Sequence, residues 1–154
     1  MQAEAFVDDD YEDGTTTAAV PNGVAGLEEP VKVLVIEDDP SIAEMYRLRL
    51  ATDGYDVLVG CDGEQGLQLA VDQRPDFIYL DVRLPKLDGF EVLKRLRAMP
   101  ATAQIPVIIL SNYGDPEMRE RGLRLGALEF LVKAETTPQQ LAAKVERTTA
   151  TPAA

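Results

Sequence analysis

Apolar residues in this chain fall into five short blocks, and the stretches between them carry apolar positions at helical spacing. Residues 31–36 are apolar apart from Lys32. Residues 57–59, 77–80, 105–110 and 130–132 repeat the pattern, rich in branched and aromatic side chains. Continuous blocks of this length, without apolar–polar alternation, predict strands buried on both faces. Between them, Ile42, Met45, Tyr46 and Leu50 predict one helical face, and Leu67, Ala70 and Val71 a second. Phe90, Leu93 and Leu96 give a third, Met118, Gly122 and Leu125 a fourth, and Leu141 with Val145 a fifth.

Helix starts are written just as locally. Asp39-Pro40 and Asp115-Pro116 place an acceptor side chain at the N-cap and a proline where no N–H is needed. Asp62 with Gln65, Asp88 with Glu91, and Thr137 with Gln140 have capping-box spacing. Asp53-Gly54 and Gly126 mark helix ends. Five strands alternating with five helices predict an α/β fold, a parallel sheet covered on both faces by right-handed crossovers. The expected form is a flavodoxin-like, doubly wound (βα)5 sheet with strand order 2-1-3-4-5, which sets the ends of strands one and three at the topological switch point.

Composition narrows the function classes. The chain has 154 residues, 45% of them apolar, and no apolar run near the roughly 20 residues of a membrane span. No basic segment precedes an apolar one at the N-terminus, so no secretory signal is expected, and the expected setting is cytoplasmic, away from membranes. Cys61 is the one cysteine and there is no histidine. An internal disulfide, a histidine-built zinc site and Ser-His or Cys-His catalysis are thereby excluded.

The net charge of −12 is uneven: residues 1–30 hold eight acids and no Lys or Arg. They read as a disordered acidic leader, followed by a domain over 31–148 and a frayed tail over 149–154. No clustered basic stretch suggests nucleic acid, so no direct DNA binding is expected.

Four predicted strands end in groups of complementary chemistry: Glu37 and Asp38 after the first, Asp81 after the third, Ser111 after the fourth and Lys133 after the fifth. In a parallel sheet these ends share one edge. Three carboxylates repel, and a hard, oxygen-preferring cation such as Mg2+ relieves that repulsion. A lysine and a hydroxyl opposite them suit phosphoryl oxygens. The set reads as a phosphoryl-transfer site with Asp81 as nucleophile. Asp39, next to Pro40, reads as a helix cap.

In the order and spacing of these motifs the chain resembles the receiver domain of two-component response regulators. The resemblance spans about 31–148 and rests on five features. These are the acids of Val33-Leu34-Val35-Ile36-Glu37-Asp38-Asp39, the segment Leu80-Asp81-Val82-Arg83-Leu84-Pro85 with Asp88-Gly89, Ser111 after Ile109-Leu110, Gly126-Ala127, and Phe130 with Lys133.

It implies that Asp81 accepts a phosphoryl group from a histidine kinase or phosphotransfer protein. It also implies that Glu37, Asp38, Asp81 and the backbone carbonyl of Arg83 hold Mg2+, that Ser111 and Lys133 contact the acyl phosphate, and that Phe130 is a switch aromatic. Such a domain signals rather than turns over substrate. With only a short stretch after the last helix, it is expected to act on a downstream protein through the fourth helix, fifth strand and fifth helix, where Arg119, Arg121 and Arg124 are candidate surface charges.

Two positions depart from the family pattern: Ala134 follows the lysine where proline is usual, and Asn112 follows the hydroxyl where a small residue is usual. A trans peptide and an altered loop are expected at Ala134. These departures keep a phosphorylation-independent scaffold as the alternative. A phosphatase of the haloacid dehalogenase type would need an acid where Arg83 stands. An FMN-binding flavodoxin would need a Ser/Thr/Gly-rich loop after strand one, and a nucleotide hydrolase a Gly-x-x-x-x-Gly-Lys loop; neither is present.

Overall fold

The apolar blocks assemble into one parallel sheet in a computed structural model that describes residues 29–150. The strands are β1 (Lys32–Ile36), β2 (Asp56–Gly60), β3 (Phe77–Asp81), β4 (Val107–Ser111) and β5 (Glu129–Val132), in the order β2-β1-β3-β4-β5. The helices are α1 (Pro40–Thr52), α2 (Gly63–Gln73), α3 (Gly89–Ala98), α4 (Pro116–Arg124) and α5 (Pro138–Ala150). This is the predicted flavodoxin-like arrangement. The leader expected over 1–30, apart from Glu29 and Pro30, lies outside the described residues; of the tail expected over 149–154, residues 149 and 150 belong to α5 and the rest lie outside them.

Both sheet faces are covered, so successive residues of one strand enter different cores. Leu34, Ile36, Ile78, Leu80 and Ile109 join Phe90, Leu93 and Leu96 of α3 on one side. Val33, Val35, Phe77, Tyr79, Ile108 and Leu110 join Tyr46 and Leu50 of α1 and Leu141 and Val145 of α5 on the other. Full burial of a side chain of this size contributes about 1.5–3 kcal/mol, which explains why β3 and β4 carry no polar residue before their last position.

The caps form as the sequence implies. Asp39 Oδ1 accepts from the N–H groups of Ser41 and Ile42, and Asp115 Oδ1 from those of Glu117 and Met118. Thr137 and Gln140 close a reciprocal box. Asp88 and Glu91 close only half of one: Asp88 Oδ1 accepts from the Glu91 N–H, while the Glu91 carboxylate pairs with Arg95 at 2.9 Å.

The predicted face of α1 needs one correction. Met45 is exposed, and Ala43 takes the buried position beside Tyr46 and Leu50. Residues 43, 46 and 50 form a stripe at helical spacing, from which Met45 is turned by about 100° relative to its neighbour.

Helix α4 lies close to the sheet at a single buried residue, Gly122. A Cβ there would come within 2.7 Å of Ile109 Cδ1 and 3.3 Å of the Phe130 ring. The arginines of this helix differ in role. Arg119 donates to the Phe130 carbonyl at 2.9 Å, with its guanidinium 5.4 Å from the ring centroid, and Arg121 lies 4.3 Å from the centroid of Phe90. Arg124 pairs with Glu120 on the surface.

Candidate functional site

Strand register decides which groups meet at the sheet edge. Ile36 of β1 stands opposite Leu80 of β3, so Glu37 and Asp81 leave their strands at the same level. Asp81 is opposite Leu110 of β4, one residue before Ser111, and Ser111 is opposite Val132 of β5, one residue before Lys133. The groups named from sequence therefore arrive together on the C-terminal edge, with β1 and β3 adjacent at the switch point.

Lys133 joins them. Its Nζ lies 2.6 Å from Glu37 Oε1 and 3.0 Å from Asp81 Oδ2. All three side chains are almost wholly buried, and the bridges span 96 and 52 residues of sequence. Burial pushes the Glu37 carboxyl above its ordinary value; the Lys133 hydrogen bond opposes this and the Asp81 charge adds to it. Burial alone would lower the Lys133 ammonium, but the hydrogen bonds and charges of Glu37 and Asp81 outweigh it and hold the group above its ordinary value.

Glu37, Asp38 and Asp81 each offer a carboxylate oxygen, and these oxygens lie within 4.8 Å of one another. Two of the acids are buried and Asp38 is exposed, so the cluster is open on one side. An all-oxygen donor set with room for water fits a Mg2+ ion. Glu37 Oε2 also accepts from the Asp39 N–H, which fixes the carboxylate from behind.

The loop after β3 is shaped by Gly89. Its N–H donates to Val82 O at 2.8 Å, and a Cβ there would sit 2.1 Å from Asp81 O. Only glycine lets α3 start this close to the strand end. Lys86 in the same loop adopts φ 71, a left-handed conformation unusual for a side-chain-bearing residue, and lies 3.7 Å from Asp62.

The remaining expected residues divide. Ser111 is buried at the edge, where its Oγ accepts from the Tyr113 N–H. Phe130 is buried opposite Ile109, inside the sheet and below the edge. Arg83 is exposed, and its guanidinium lies over the Tyr113 ring, 5.2 Å from the centroid. Lys133–Glu135 forms a 3-10 turn, and the described residues hold no cis peptide bond, in keeping with the trans loop expected at Ala134.

Sequence reasoning passed over Tyr113. Its signal was positional: it stands two residues past Ser111, as Arg83 stands two past Asp81. Also missed was Arg97, which reaches the carbonyls of Thr102, Ala103, Ile105 and Gly126 at the opposite edge of the sheet.

The fold and this edge define a doubly wound α/β signalling domain with an acid, hydroxyl and lysine set at its switch point. The chain belongs to the response regulator receiver domain family, whose model matches residues 33–146. It is 41% identical over 111 residues to the DNA-binding dual master transcriptional regulator RpaA of Synechocystis sp., covering 72% of this chain and 46% of that protein.

Among solved structures, a response regulator from Chloroflexus aurantiacus matches with TM-score 0.74 and 35% identity, over 80% of this chain and all of the other. The receiver domain of the sensor histidine kinase PA1611 from Pseudomonas aeruginosa matches with TM-score 0.70 and 30% identity, over 77% of this chain and 97% of the other. That structure has a magnesium ion coordinated in its active site cleft.

One expectation is overturned. The partner set inferred from sequence, a downstream protein with no direct DNA contact, conflicts with relatives that are transcriptional regulators, RpaA among them a DNA-binding one. The chain spans about half the length of the curated relatives it matches. The charge pattern over the matched half carries no record of the relatives' remaining length, so the lack of a basic cluster here does not bear on DNA contact. Among the described residues no helix is long and apolar enough to cross a membrane.

Proposed function

We propose that this domain accepts a phosphoryl group on Asp81 from a phosphohistidine of a histidine kinase or phosphotransfer protein, in a Mg2+-dependent reaction. The observation that carries the reading is the buried Lys133 bridge to both Glu37 and Asp81 within an acid cluster that fits a hard cation.

A carboxylate oxygen of Asp81 attacks phosphorus in line with the donor nitrogen. The P–N bond breaks, its electron pair stays on the imidazole, and the imidazole takes up a proton. Glu37, Asp38, Asp81 and the Arg83 carbonyl would hold the cation, which supplies charge neutralisation to the phosphoryl oxygens. Lys133 contacts one phosphoryl oxygen as a point charge, and the Ser111 hydroxyl donates to another. Phe130, packed beneath α4, would turn inward as the Ser111 hydroxyl moves toward the phosphoryl group.

The test is intact-protein mass after incubation with acetyl phosphate, with and without Mg2+, on the wild type and Asp81→Asn. A Mg2+-dependent gain of one phosphoryl group, absent from the variant, is expected. No gain in folded wild type would favour a phosphorylation-independent scaffold. A gain that survives in Asp81→Asn would move the acceptor elsewhere.

A further inference from the structure

An open groove of about 600 Å3 lies between the loop after β3 and α4. Its apolar lining comes from Val82, Leu84 and Pro85 of the loop, Phe90 of α3 and Met118 of α4. Val82 and Phe90 are buried, and Leu84 and Met118 are half-buried, so these side chains form its floor.

Two arginines flank that floor. Arg121 comes from α4 and Arg83 from the loop, and both are exposed. The Arg121 guanidinium lies 4.3 Å from the centroid of Phe90, one of the floor residues. A cation held over a ring keeps its N–H donors available for an oxygen ligand. Among the described residues neither arginine has a carboxylate partner; the ion pairs there are made by other cations.

The charge of the chain is inverted along this stretch. Residues 83–124 carry eight bases against five acids, within a net charge of −12. Four of those acids are already engaged: Asp88 and Asp115 cap helices, and Glu91 and Glu120 pair with Arg95 and Arg124. Of the two acids that line the groove, Asp88 is held by its cap, and Asp38 belongs to the acid cluster that fits a divalent cation.

Size and chemistry together define the occupant. Small-molecule sites measure about 300–1,000 Å3 and are largely apolar with a few convergent polar groups. An apolar body on the floor places an anionic end beside the guanidiniums, and a carboxylate matches the planar fork of arginine. We propose that this groove binds a small amphipathic carboxylate, an aromatic or branched aliphatic acid, with Arg121 as its principal anion contact and Arg83 as the second. Such a ligand bridges the loop after β3 to α4. Its binding does not require Asp81 to be a phosphoryl acceptor.

The probe is 2-naphthylacetate, with the neutral 2-naphthylacetamide as control, followed by amide chemical shifts of the full chain with and without Mg2+. Wild type, Arg121→Ala, Arg121→Lys and Met118→Gln are compared, and thermal unfolding confirms that each is folded. The acid is expected to bind wild type with Kd on the order of 1 mM or tighter, as for a ligand of its size, and to shift the amides of Val82, Leu84 and Met118. The neutral amide should bind wild type about tenfold more weakly than the acid, and the acid should bind Arg121→Ala about tenfold more weakly than wild type, each the loss of one charge-assisted contact. Arg121→Lys should recover part of that loss, because the charge returns without the planar fork. Met118→Gln should weaken the acid about threefold by removing apolar floor.

Equal affinity of acid and amide, or of wild type and Arg121→Ala, would overturn the proposal. So would binding that requires Mg2+ and ignores Arg121→Ala, which is direct ligation of the metal. No shift at about 10 mM acid, roughly ten times the expected Kd, would overturn it as well. A short acidic peptide with one aromatic residue is titrated alongside; tighter binding of the peptide at the same residues would make the occupant a protein segment instead. Sedimentation velocity completes the test, since a wild-type dimer that Arg121→Ala dissociates would make the occupant a second copy of this chain.

Discussion

Lys133 Nζ is closer to Glu37 Oε1, at 2.6 Å, than to Asp81 Oδ2, at 3.0 Å. The lysine therefore holds a neighbouring acid as firmly as the proposed acceptor. Glu37 anchors Lys133, and in the proposed reading it is also a cation ligand. With Lys133 removed, Glu37 and Asp81 face each other buried and uncompensated. Lys133→Ala is expected to lose about 3 kcal/mol in Mg2+-free urea unfolding, the cost of breaking a buried pair. Mg2+ should still bind and should restore a larger share of stability to the variant than it adds to wild type. Phosphorylation of the variant should no longer produce the conformational change expected of wild type, as judged by amide chemical shifts of α4.

Gly89 tests how tightly the loop constrains the acceptor. A Cβ at this position would meet the Asp81 carbonyl at 2.1 Å and Val82 Cα at 2.9 Å, both backbone, so relief requires the loop itself to move. Gly89→Ala is expected to cost about 2 kcal/mol in urea unfolding, within the range for overpacking, and to weaken Mg2+ binding by calorimetry. Wild-type stability would show that α3 can shift without disturbing Asp81.

Tyr79 carries the clearest pH signature. Its hydroxyl donates to the Leu141 carbonyl across the sheet–α5 interface. Burial, with smaller contributions from Glu129 and Tyr55, raises its ionisation above the ordinary value of about 10. Above that value the unfolded chain releases the phenolic proton while the folded chain retains it, so stability falls as pH rises. Below pH 10 the contribution is fully present. Tyr79→Phe is expected to cost about 1 kcal/mol at pH 7, a typical net hydrogen bond, and to flatten the loss of stability between pH 10 and 11. Urea midpoints at both ends of that window measure it.

Arg97 makes its bonds without a carboxylate. Burial lowers its ionisation from the ordinary value, and four carbonyls, from Thr102, Ala103, Ile105 and Gly126, receive its N–H groups. It ties the entry of β4 to the turn before β5. Arg97→Met keeps the aliphatic stem and removes the donors. A loss of about 2 kcal/mol is expected in urea unfolding, as for hydrogen bonds to a charged group. Phosphoryl uptake should remain close to wild type, since the cluster lies at the far edge of the sheet from Asp81.

Local signals carried much of the fold. Asp39-Pro40 and Asp115-Pro116 cap helices wherever they occur, because an acceptor side chain and a missing N–H act within one turn. Unbroken apolar blocks required two covered faces, and their alternation with helices required parallel strands. The acids after β1 and β3, the serine after β4 and the lysine after β5 were legible for the same reason: each closes a strand whose length is set by its own apolar run.

What the chain alone left open lies between segments. Periodicity pointed Met45 at the core, and the docking of α1 buried Ala43 instead. Lys133 could have faced solvent; register across β1, β3, β4 and β5 brought it to Glu37 and Asp81, 96 and 52 residues away. Arg83 and Tyr113 are ordinary loop residues until two neighbouring strands release them side by side. Caps and strand lengths follow from forces acting over a few residues, whereas these pairings depend on the register and docking of elements distant in sequence, which only the assembled sheet sets.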